Sequence, residues 1–158
     1  MYKIGDKVVY PMHGAGEIID LTEKEILGKK KDYFVLKMPI GNMKALLPVE
    51  SVDSIGIRNI ITIKEADDLL NSISGMEFIE NANWNKRYRE NMEKLKTGNA
   101  TDVAGVIKTL FIREQAKGLS TGERKMLSTA KQILTSEIML VKKISIDEAD
   151  KLISEHVT

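Results

Sequence analysis

The only tryptophan of the chain opens a stretch in which three cations follow within five residues, Trp84-Asn85-Lys86-Arg87-Tyr88-Arg89. These residue types suit duplex DNA. Each lysine or arginine that meets a phosphate releases condensed counterion. An apolar ring beside such cations can enter a minor-groove step and unstack it, at a cost of about a few kcal/mol that is tolerable where the stack is already opening. Arg124-Lys125 forms a second basic group further along. A plainer reading competes with this one. Trp84, Tyr88, Asn91 and Leu95 recur at helical spacing, and an aromatic in line with a tyrosine and a leucine is commonly core. Trp84 can escape the core only because it sits in a first turn, where it can overhang the end of a bundle. The charges by themselves also fit a solvated helix face.

The charge distribution favours the surface reading. Residues 1–80 carry 10 Lys and Arg against 13 Asp and Glu, a net −3. Residues 81–143 carry 13 against 6, a net +7, and residues 144–158 carry 1 against 4, a net −3. The overall +1 therefore conceals a basic middle suited to phosphate, flanked by acidic ends.

Enzymatic chemistry finds little support. Cysteine is absent, which excludes disulfides and thiolate metal sites and fits a cytoplasmic protein. His13 lies in a turn and is expected to pack on Tyr10, while His156 stands two residues from the last one. Neither has a second histidine at ligand spacing. Gly14-Ala15-Gly16 lacks the rest of a dinucleotide fingerprint. Asp67 and Asp68 are adjacent on a predicted helix and point apart. The expectation is a non-enzymatic protein with no cofactor, no metal and no small-molecule substrate. No apolar run approaches the roughly 18 residues of a membrane span, and Met1–Asp6 does not read as a secretory signal.

Two kinds of element must position these residues. Up to about residue 55 the chain reads as short strands: Lys7–Tyr10, Glu17–Thr22, Tyr33–Met38 and Met43–Leu47. Turn signals recur every 8–12 residues, as in a small antiparallel barrel, with Gly28–Lys31 as a charged tip. Near residue 60 the period changes. Thr62-x-x-Glu65, Ser120-x-x-Glu123 and Ser145-x-x-Glu148 are capping boxes that open helices. Asn83 caps a helix carrying the basic stretch, and another spans about Thr101–Lys117. The helix after Ser120 bears a stripe of Met126, Leu127, Ala130, Ile133, Leu134, Ile138 and Val141. The fold class is α+β in two domains, a β-domain over 1–55 and an all-α bundle over 62–158, joined by a connector too short for much freedom.

Three separated motifs then resemble one family. Ile4–Gly16 (Ile-Gly-Asp-Lys-Val-Val-Tyr-Pro-Met-His-Gly-Ala-Gly) is similar to the opening motif of the CarD family of bacterial transcription factors. Asn83-Trp84 with Lys86-Arg87-Tyr88 resembles its second signature. Gly118–Leu127, with Ala130 and Ile133-Leu134, resembles its third. The resemblance runs in order from about residue 2 to residue 142. It implies a Tudor-like barrel that docks on the β subunit of RNA polymerase, and a helical domain at the upstream edge of the promoter bubble. Trp84 would then be a minor-groove wedge on double-stranded promoter DNA that stabilises the open complex. Arg87, Arg89 and Arg124, with Lys86 and Lys125, would be the DNA-contacting cations. The polymerase face would involve Lys24 and the strand residues Lys44, Ala45 and Leu46. A related member has an arginine where this sequence has Leu46, with Lys44 two residues earlier on the same strand face. The rival reading is an adaptor that binds polymerase without touching DNA.

Overall fold

A computed structural model describes residues 1–76 and 83–158. The sequence also predicts a polar connector over 75–83, between the helix that opens at Thr62 and the one capped by Asn83, and most of it falls outside the described residues.

The first part is a five-stranded antiparallel sheet in the order β4-β3-β2-β1-β5. Its strands are β1 (Lys7–Tyr10), β2 (Gly14–Ile26), β3 (Lys29–Lys37), β4 (Lys44–Pro48) and β5 (Arg58–Asn59). A 3-10 turn at Val49–Ser51 and a one-turn helix, α1 (Val52–Ile55), lead from β4 to β5. One face of the sheet closes over Val8, Ile18, Phe34, Leu36, Leu47 and Val52. A register shift between Ile18 and Asp20 bends β2 at the edge of this core.

The hairpin is longer than its apolar pattern predicts. Beyond Leu21, β2 and β3 stay paired out to Ile26 and Lys29, so Lys29, Lys30 and Lys31 are strand residues and the bend is at Leu27-Gly28. Its charges sort by the pleat. Lys24, Lys29 and Lys31 share one face with Ile26, while Glu23, Glu25 and Asp32 share the other with Lys30.

The second part comprises α2 (Ile63–Ile73), α3 (Trp84–Lys96), α4 (Ala100–Ala116), α5 (Thr121–Lys142) and α6 (Ile146–Val157). All three predicted capping boxes form, with both reciprocal bonds, at Thr62/Glu65, Ser120/Glu123 and Ser145/Glu148. The α5 stripe packs on Val103, Val106, Ile107 and Leu110 of α4 to make the helical core. The α+β architecture is thus the one the residue patterns imply. No helix among the described residues is long and apolar enough to cross a membrane.

The two parts are packed together along α5. The Ala15 amide donates to Ser136 Oγ at 2.8 Å, and that hydroxyl donates to the Ile133 carbonyl at 2.7 Å. Gly14, at φ +107°, lies so close that a Cβ there would stand 2.8 Å from Ser136 Oγ, so no side chain fits. Beside this contact, Arg58 makes a two-pronged bond to Glu137, 2.7 Å on each side, and the Ile61 amide donates to the same carboxylate at 2.9 Å. Met12, Ile60 and Ile61 from the sheet side and the connector pack against the helical core. The restricted connector inferred from the sequence has a physical basis in these contacts.

Candidate nucleic-acid interface

Helix α3 begins where Asn83 accepts from the Lys86 amide, placing Trp84 at the first helical position. Tyr88, one turn on, stacks on the indole with ring centroids 5.1 Å apart and planes 19° apart. Helix α5 starts alongside, and Trp84 Nε1 donates to Ser120 Oγ at 3.3 Å. Trp84 keeps 43% of its surface exposed, whereas Asn91 and Leu95 further along its line are buried. The core reading holds for that lower stripe and fails for its first member, because the first turn overhangs the bundle.

Lys86 and Arg89 of α3 are exposed, as are Arg124 and Lys125 in the first turns of α5. Beside the stack, Asn85, Tyr88, Arg89, Met92, Glu93 and Lys96 line a shallow groove along α3.

Arg87 departs from expectation. Only 5% of it is exposed, and its Nε donates to Glu123 Oε2 at 3.1 Å. Arg113 approaches the same oxygen at 3.7 Å. The phosphate-contacting role assigned to Arg87 is corrected: its charge is spent inside the bundle, on a carboxylate that is itself buried. Sequence reasoning missed Glu123, Ser120 and Arg113. Ser120 and Glu123 are legible only as a helix cap, and nothing local signals that this cap closes over two arginines.

The buried carboxylate has a measurable consequence. Burial pushes the Glu123 carboxyl up, but the Arg87 hydrogen bond and those from Ser120 outweigh it and hold it below its ordinary 4.5. A depressed folded value stabilises the fold above the unfolded value, and the gain is lost as pH falls through the folded one. Denaturation from neutral pH into acid is therefore expected to show stability falling below about pH 4.5, with a shallower fall in Glu123→Gln, which cannot titrate. Equal slopes would show that the group does not titrate with folding.

On the sheet, Lys24, Lys44 and Leu46 lie on one face, as the pairing Lys24↔Lys31, Val35↔Leu46 and Lys37↔Lys44 requires. Val35, Leu46 and Pro48 form an apolar strip between the hairpin lysines and the Lys37/Lys44 pair. Ala45 is corrected: its side chain is on the opposite face, half-buried against the sheet core. Strand β4 is an outer strand, so among the described residues one of its backbone edges has no partner in the sheet. His13, exposed in its turn, meets Tyr10 edge-on at 4.3 Å, as expected of a packing histidine.

Residues 2–61 match the CarD-like/TRCF RID domain, and residues 68–154 match the CarD C-terminal domain. The chain belongs to the CarD family. CarD-type membership makes it a regulator of transcription that interacts with RNA polymerase. It is 37% identical over 145 residues to the putative transcription factor YdeB of Bacillus subtilis (strain 168), covering 92% of this chain and 95% of that protein. The 72-residue N-terminal domain of Myxococcus xanthus CarD, solved by solution NMR, is 27% identical over 37% of this chain and 79% of its own, with a TM-score of 0.33.

Proposed function

We propose that this CarD-family chain docks on the β subunit of RNA polymerase through its sheet and applies its helical part to the upstream edge of the promoter bubble, stabilising the open complex. The observation that carries the reading is a half-exposed indole, backed by a stacked tyrosine, among the exposed cations Lys86, Arg89, Arg124 and Lys125. Such a ring fits a distorted base step better than an intact one. It therefore has differential affinity for the melted promoter, and differential affinity is what shifts a population. The cations would meet backbone phosphates, giving little base readout.

Residues 1–55 would supply the polymerase contact. The Val35/Leu46/Pro48 strip offers apolar area, the lysines at its two ends suit an acidic protein surface, and the open edge of β4 can accept an added strand. Residues 62–158 would supply the DNA contact. Attachment to polymerase raises the local concentration of the basic surface, so weak intrinsic DNA affinity suffices. Both partners place the chain in the cytoplasm.

Salt dependence tests the phosphate contacts. The plot of log affinity against log salt for promoter-length duplex is expected to flatten by about 0.9 for each of Arg89→Gln and Arg124→Gln. Lys86→Gln and Lys125→Gln should behave alike. Four unchanged slopes would remove the phosphate contacts from the proposal.

A further inference from the structure

We propose that Glu123 is a positioning residue for Trp84, acting through the Ser120 hydroxyl; its consequence at the promoter rests on the wedge reading above, but its test in the free protein does not. Among the described residues, two contacts orient the indole. The Tyr88 ring fixes its plane, and the bond from Nε1 to Ser120 Oγ fixes its rotation within that plane. The second contact depends on where the serine proton goes. A serine hydroxyl has one proton and two lone pairs. Here the proton is given to Glu123 Oε1 at 3.0 Å, and one lone pair accepts from the Glu123 amide at 3.2 Å. The other lone pair is then free to accept the indole N–H. The carboxylate that takes the proton cannot turn away, because its second oxygen is held by Arg87 Nε at 3.1 Å with Arg113 at 3.7 Å.

The chain contains its own comparison. Glu65 and Glu148 fill the same place in the other two capping boxes, and both are exposed. A cap therefore needs neither burial nor an arginine. Burying Glu123 between two guanidiniums is weak as a source of stability, since desolvation offsets much of the attraction. What the arrangement provides is a single geometry, and the one indole N–H of the chain points at it.

With one tryptophan present, indole fluorescence excited beyond the tyrosine absorption band reports Trp84 alone. In the free full-length protein, Ser120→Ala and Glu123→Gln are expected to raise the amplitude of fast nanosecond depolarisation by about twofold. Ser120→Thr, which keeps the hydroxyl, should match the parent, as should Glu65→Gln and Glu148→Gln. Should Glu123→Gln fail to fold, Ser120→Ala with its threonine rescue decides the matter. Unchanged depolarisation in folded Ser120→Ala, or an equal rise in Glu65→Gln, would overturn the assignment. At the promoter, Ser120→Ala should shorten open-complex lifetime in the parent but not in a Trp84→Ala background; equal shortening in both backgrounds would also overturn it. If Trp84→Ala alone leaves the lifetime unchanged, the wedge fails while the depolarisation measurement still decides the positioning role.

Discussion

Replacing Trp84 by alanine is expected to shorten the lifetime of the open promoter complex by about tenfold, given that stacking of a base on an aromatic side chain is worth roughly 1–3 kcal/mol. Polymerase binding should be unaffected, because every residue assigned to that contact lies on the sheet. The fold should tolerate the change. Trp84 is 43% exposed and contributes a stack and one long hydrogen bond, whereas the helical core is built from other residues. Trp84→Phe should recover part of the lifetime, since it restores a ring over Tyr88 without the N–H that reaches Ser120. An alanine variant that is folded, bound to polymerase and unchanged in open-complex lifetime would falsify the wedge assignment.

The second large effect concerns the joint between sheet and helices. Among the described residues, three protein donors reach the Glu137 carboxylate, which is 1% exposed, and Arg58→Ala would leave it only the Ile61 amide. Removing one partner of a buried pair costs about 3–5 kcal/mol. Arg58 is partly exposed, so water can reach the site and the lower end, about 3 kcal/mol, is expected. That is a change of roughly a hundredfold in the folding equilibrium. Removing Glu137 as well should recover part of the loss, because the stranded charge goes with it. Urea denaturation of the two single variants and the double one gives the coupling directly. A cost below about 0.5 kcal/mol for Arg58→Ala would mark the pair as an ordinary surface ion pair. The Ala15–Ser136 bond and the packing of Met12, Ile60 and Ile61 would then hold the sheet against α5 without it.

What was legible in the sequence follows from the range of the interactions involved. The three capping boxes lie within four residues each and form as read. The α5 stripe is a property of one helix and also stands. The burial of Arg87 leaves no local trace, because its partner, Glu123, is 36 positions away. On a basic helix nothing local separates an arginine in solvent from one on a buried acid. The joint is illegible for the same reason, with Arg58 and Glu137 79 positions apart. Strand β5 is only two residues long, too short for any period to show. The outer hairpin is held by cross-strand pairing of polar residues, so the apolar alternation that marks a half-buried strand stops before the strand does. Ala45 illustrates the opposite case: alternation along β4 already separates it from Lys44 and Leu46, and a strict reading of the pleat would have turned it inward.

The most direct test attaches a photoreactive side chain at position 84 in one protein and at position 46 in another, and assembles each with polymerase and promoter. Position 84 should join to DNA at the upstream edge of the bubble, while position 46 should join to the polymerase β subunit. Attachment of position 84 to protein alone, with position 46 still reaching polymerase, would contradict the DNA half and leave an adaptor that never touches the promoter.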